Sequence, residues 1–183
     1  SLADCVTFGV APSAMLFSLF SKVAYPSFMA NEFVFEVMPF TAFLMAAFSA
    51  LRLAKFNIDE RQHTGFIGMP TPANAIFWGA LIASSEGWLT GPRFNAFFLF
   101  LFMMLFCWLL VCEVPMFAFK SLSWKKEKVK FLFLGLSAVI LVVGAISGVA
   151  EGNVWIGLIR GVAECIGLYV VMSILASVLP GKE

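Results

Sequence analysis

Apolar residues in this chain come in long blocks broken by short polar connections, and they neither alternate with a period of two nor keep to a single helical stripe. A hydrocarbon core roughly 30 Å thick is crossed by about 20 apolar residues of helix. On that ruler the sequence predicts helices near Val6 to Ala24, Phe33 to Phe56, Pro72 to Leu89, Phe94 to Cys112, Phe131 to Gly148 and Val154 to Leu179. No strand-length alternation suggests a barrel, and an open sheet edge in lipid would leave backbone groups unsatisfied. The expected fold class is therefore all-α: a polytopic helical bundle of about six transmembrane helices, forming a single transmembrane domain over residues 1–183.

Composition supports the pattern. Of the 183 residues 61% are hydrophobic and 13% charged, with a mean hydropathy of +0.95, against about 25% charged residues in a soluble domain. The formal net charge is +1, which gives no electrostatic footprint for a nucleic acid. Cys5, Cys107, Cys112 and Cys165 fall in or beside the apolar runs without zinc-site or disulfide-framework spacing, and they read as small apolar residues. His63 is the one histidine, in a connection, and cannot by itself form a metal site or a nucleophile-base pair.

The charges that remain set an orientation. If the first helix starts in the cytoplasm, one side receives Arg52, Lys55, Arg61, Lys120, Lys125, Lys126, Lys128, Lys130 and Lys182, while the loops of the opposite side receive Arg93. The positive-inside rule then puts the amino end, the connections near Phe56 to Thr71 and Lys120 to Lys130, and the carboxyl end in the cytoplasm. Trp88, Trp124 and Trp155 fall near helix ends, as interfacial anchors do. The Lys120 to Lys130 stretch is first a topology signal, with anionic lipid head groups as a second use.

The segment Ser1-Leu-Ala-Asp-Cys-Val-Thr-Phe-Gly-Val-Ala-Pro-Ser closely resembles the end of the signature of the CDP-alcohol phosphotransferases. That signature reads D-x-x-D-G-x-x-A-R, a spacer, then G-x-x-x-D-x-x-x-D. The variant is that of the CDP-diacylglycerol-serine O-phosphatidyltransferases, whose version looks like D-S-L-A-D-x-V-S-F-G-V-A-P. On this match Asp4 is the last aspartate of the signature, and Thr7 stands where the serine enzymes usually have Ser. Leu51-Arg52-Leu53-Ala54-Lys55-Phe56-Asn57 is similar to their L-R-L-A-R-F-N stretch, and Phe66 to Ala75 is similar to their F-x-G-L-P-x-P-A-x-A loop. Phosphatidylglycerolphosphate synthases tend to show D-P-x-A-D-K at the first site, and this chain has Cys5 in place of the Lys. The resemblance covers roughly the first 75 residues. The first three aspartates would lie before Ser1, so the chain is expected to be the carboxyl-terminal portion of such an enzyme, unable alone to hold metal or CDP.

The resemblance implies transfer of a phosphatidyl group from CDP-diacylglycerol to L-serine at a bacterial inner membrane, with the active side cytoplasmic and Mg or Mn as divalent metal. A metal neutralises the diphosphate and a carboxylate takes the proton of the acceptor hydroxyl. Asp4 is then the candidate base, with metal binding as its other role and an ordinary N-cap as the structural alternative. Substrate-binding candidates are Thr7, Arg52, Lys55, Asn57 and Thr71. Arg52 and Lys55 are three apart and expected on one side of their helix, where they neutralise phosphates or the serine carboxylate, or else snorkel to the interface. Thr71 and Pro72 also read as an N-cap and first helical residue.

Glu36, Glu86, Arg160 and Glu164 lie in or near apolar runs; Arg160 and Glu164, four apart, are expected to neutralise each other. Gly144, Gly148, Gly157 and Gly161 form small-xxx-small patterns that signify close helix packing, and a homodimer through the later helices is compatible with them. A sister phosphotransferase with another acceptor alcohol is the neighbouring functional alternative. A small transporter or scaffold is the distant one, resting on Glu86, Arg160 and Glu164.

Overall fold

The computed structural model describes residues 2–58, 66–116 and 128–178. Each predicted apolar run is a helix: α1 Leu2–Phe20, α2 Glu32–Ile58, α3 Thr71–Leu89, α4 Ala96–Val111, α5 Lys128–Ala150 and α6 Val154–Val178. Four of these, α1, α2, α5 and α6, are long and apolar enough to cross a bilayer. Helix α4 is apolar but shorter, and α3 dilutes its apolar run with Thr71, Asn74, Ser84, Ser85 and Glu86. The chain is a helical membrane protein. The Lys-rich stretch up to Lys126, Arg61, His63, Trp124 and Lys182 lie outside the described residues.

Helix α3 is kinked at Ser85, and α1 and α2 each carry an irregular turn that is partly buried. Helix α1 widens to a π-helical turn over Val6–Val10, and α2 tightens to a 3-10 turn over Met38–Phe43, where Pro39 lacks the N–H that α-helical pairing needs. The π turn directs the Phe8 carbonyl at α2, where the Ser49 hydroxyl donates to it at 3.3 Å. Beside this contact Gly9 lets the backbones close up: a Cβ there would stand 3.2 Å from the Cβ of Ser49.

Helix α3 is the hub and packs against α1, α2, α4 and α6. Its seam with α4 is aromatic: Phe77 stacks on Phe106 with centroids 4.4 Å apart, and Trp78 meets Phe102 and Phe106 edge-on at 5.3 and 5.4 Å. Such ring pairs add about 0.5–1.5 kcal/mol each beyond the area they bury. The α5–α6 hairpin packs backbone to backbone. A Cβ on Gly157 would lie 2.7 Å from the Gly148 Cα and closer still to the Gly144 carbonyl oxygen. The glycine stripes therefore join two helices of one chain, as small residues do where lipid offers no hydrophobic drive, and a homodimer has to use another face.

Two ion pairs stand at the end where α1 and α3 finish. Lys22, just past α1, contacts Glu86 of α3 at 2.6 Å, so that side holds Lys22 and Arg160 as well as Arg93. Arg160 donates from both terminal nitrogens to Glu151, each at 2.9 Å. The expected partner Glu164 also acts electrostatically on Arg160, but the hydrogen-bonded pair is with Glu151. The turn at Gly152, φ +84°, folds Glu151 back over the start of α6, and a bidentate fork is a stronger geometry than a single i,i+4 contact.

Candidate functional site

At the opposite end, where α1 begins and α2 ends, the connections close over the helices. After α2 the chain forms a two-residue strand, β1 Phe66–Ile67, which pairs antiparallel with β2 Pro115–Met116 beyond α4. From β1 it turns through Gly68 and Met69 to Pro70, and α3 starts at Thr71. The helix starts one residue earlier than the sequence suggests: Pro70 holds the cap position, without a side-chain cap bond, and Thr71 is already helical.

Between this connection, α1 and α2 lies a cavity of about 220 Å³ lined by Asp4, Phe8, Arg52, Leu53, Phe56, Pro70, Thr71 and Pro72. Three of the six candidates from the sequence, Asp4, Arg52 and Thr71, thus meet in one pocket although they come from three helices. Asp4 sits in the first turn of α1, which begins at Leu2 rather than near Val6. Asp4 thus lies within the helix and not at its N-cap.

Arg52 carries the electrostatics. It is 5% exposed, its Nε donates to the Met69 carbonyl at 3.3 Å, and its guanidinium stands over the Phe56 ring at 5.4 Å. No carboxylate among the described residues forms an ion pair with it. A buried charge without a counter-charge is costly, so an anionic group in the pocket would be held strongly.

The other candidates go elsewhere. Lys55, one turn beyond Arg52, turns to the end of α4, where its Nζ donates to the Val111 carbonyl at 3.2 Å and lies 3.7 Å from Glu113. This departs from the expectation that both cations work on one side of α2. Thr7 and Asn57 are exposed and do not line the pocket. Phe8, Leu53 and Phe56, which the sequence did not single out as site residues, form much of the apolar wall. Nor did the sequence single out the fully buried Asn74, one turn along α3 from Thr71, whose Nδ2 donates to the Met45 sulfur at 3.0 Å while Oδ1 has no partner. Its spacing with Thr71 was the available signal.

Among the described residues the pocket thus joins a carboxylate, a buried guanidinium and a hydroxyl at one end of the helical bundle. The chain is similar to part of several enzymes named CDP-diacylglycerol–serine O-phosphatidyltransferase. It is 36% identical over 109 residues to the enzyme of that name from Mycobacterium tuberculosis, covering 53% of this chain and 34% of the relative. With the Bacillus subtilis enzyme it shares 38% over 76 residues, covering 39% and 35%, and with that of Methanocaldococcus jannaschii 36% over 76 residues, covering 42% and 30%. The matches span about a third of the length of these relatives. No protein-family model matches the chain, and no solved structure matches it.

Proposed function

We propose that the complete protein transfers the phosphatidyl group of CDP-diacylglycerol to L-serine, giving phosphatidylserine and CMP, at a bacterial inner membrane with the pocket on the cytoplasmic side. The observation that carries this reading is the meeting of Asp4 with the buried, carboxylate-free Arg52 and with Thr71 in one cavity. In the reaction the serine hydroxyl oxygen forms a bond to the phosphorus next to the diacylglycerol, and the bond from that phosphorus to the CMP oxygen breaks. The hydroxyl proton goes to the Asp4 carboxylate, a general base within a site that also holds an anion-binding cation. Arg52 takes a charged oxygen of the substrates, a phosphate or the serine carboxylate, in the fork geometry that guanidinium provides. Thr71 offers a hydroxyl at the third wall. Lys55, Asn57 and Thr7 stand outside this contact set.

The divalent metal, Mg or Mn, belongs to the proposal through the family resemblance. Among the described residues Asp4 supplies the one carboxylate of the pocket lining, and they contain no group of three ligands that would hold a metal. They do not fit a metal on their own, and no step above depends on one. A homodimer on a face other than the glycine seam, surrounded by membrane lipid, completes the proposed assembly.

Incubating membranes that contain the complete protein with labelled serine and CDP-diacylglycerol tests the reading. Labelled phosphatidylserine and stoichiometric CMP are expected. A strong preference for glycerol phosphate over serine would overturn the acceptor assignment.

A further inference from the structure

Arg52 can face the pocket only if something holds it there, and the holding group is a backbone carbonyl, that of Met69. A carbonyl has no side chain to fix it, so its position depends on the seat of the connection it belongs to. That seat is the end of α4. Met69 N–H donates to the Leu109 carbonyl at 2.9 Å, and Gly68 N–H donates to the Val114 carbonyl at 2.9 Å. Gly68 itself is wedged among three carbonyl oxygens: a Cβ there would stand 2.8 Å from that of Cys112, 3.0 Å from Leu110 and 3.3 Å from Leu109. Its φ is +73°, a conformation that residues with a Cβ adopt at a cost. From the other side Lys55 grips the same helix end through the Val111 carbonyl and Glu113.

We propose that Gly68 and Lys55 are positioning residues for Arg52: they seat the Gly68–Met69 turn on the carbonyl end of α4, and the turn in turn aims the guanidinium into the pocket. The inference deepens the proposed function and rests on it for the meaning of the pocket, though not for the geometry. Lys55 acts here on the protein and not on substrate. Its cation satisfies a carbonyl that has no partner within the helix, at the end where the helix dipole favours positive charge. Gly68 is specified by space, because backbone oxygens cannot swing aside as side chains do.

The test reads Arg52 directly. In the complete protein in detergent, the rate at which phenylglyoxal modifies Arg52 is followed by mass spectrometry of its peptide, with Arg160 as internal reference. In Gly68→Ala and in Lys55→Met, modification of Arg52 should quicken at least about fivefold, the equivalent of one net hydrogen bond, while Arg160, held separately by Glu151, keeps its rate. Gly79→Ala, where nothing lies within 4 Å of the added methyl, should change neither rate. Should Gly68→Ala not fold, Lys55→Met decides, since it removes a contact without adding bulk. An unchanged Arg52 rate overturns the proposal, and so does a rise shared with Arg160, which would signal general loosening. Failure of the wild type to make phosphatidylserine leaves these rates untouched and counts against the proposed function alone.

Discussion

At the scale of single residues, Asp4 and Arg52 are tested by different substitutions. Asp4→Asn nearly keeps the size and polarity of the side chain while it removes proton acceptance. Turnover should fall about 100-fold to 10,000-fold, the usual range for a missing general base, with the thermal midpoint in detergent nearly unchanged. Near-normal turnover would remove Asp4 from the chemistry. Arg52 is costly to bury, so Arg52→Met should fold as well as the wild type or better, as replacements of buried charges by apolar residues often do. Its KM for the anionic substrate should rise; a variant with unaltered KM and lowered stability would make Arg52 a structural cation instead. Asp4, Arg52 and Thr71 were legible in the sequence because each sits in a motif whose spacing is local. The direction of Lys55 was not. Three-residue spacing puts two side chains on neighbouring faces of a helix, but the carbonyl end of α4, more than fifty positions away, decides which one turns aside.

At the scale of elements, the six apolar runs announced six helices because lipid-facing and core-facing residues are both apolar, which makes length the signal. The same uniformity hides what distinguishes the helices. Nothing in Val6–Val10 announces a π turn, which exists because the Ser49 hydroxyl and the close approach at Gly9 reward the displaced Phe8 carbonyl. The glycine stripes were legible as packing, and the structure supplies the partner. Gly157→Ala should destabilise the α5–α6 hairpin by about 1–3 kcal/mol, the range for overpacking, whereas Gly135→Ala, in open space, should be silent; equal effects in thermal denaturation would contradict the seam. The turn between these helices adds a pH dependence. Hydrogen bonds from Arg160 hold the Glu151 carboxyl below its usual range. A carboxylate whose value is depressed by folding stabilises the protein above its unfolded value, and that contribution fades as pH falls through the depressed one. Glu151→Gln should therefore have a slightly lower thermal midpoint than wild type at neutral pH, a small gap because the pair is exposed, and the two midpoints should converge in acid.

At the scale of the whole molecule, the Lys22–Glu86 and Arg160–Glu151 pairs lie at the end of the bundle opposite the pocket. Glu86 and Arg160, the residues that suggested transport, are bound to Lys22 and Glu151 at the end away from Asp4. Two of the three groups on which the transporter alternative rested are therefore held in ion pairs, and the third, Glu164, acts on Arg160 as well. Vesicles holding the 183-residue chain as sole protein are expected to retain it in the bilayer fraction and to release no CMP, because the described residues bring a single carboxylate to the pocket. Measurable CMP release from them would show that the catalytic centre lies elsewhere.

The pairing of β1 with β2 has a consequence for how the molecule comes into being. It staples the entry of α3 to the exit of α4, so residues 66–116 form a closed hairpin whose two ends meet at one membrane surface. Such a loop needs no later part of the chain to fix its ends, and contacts between near sequence neighbours form early. During synthesis the wall of the pocket made by Pro70, Thr71 and Pro72 could be set as soon as Met116 has emerged, before the α5–α6 hairpin is made. Helix α6, which lies against both α3 and β2, would then dock onto a finished surface and act as its brace.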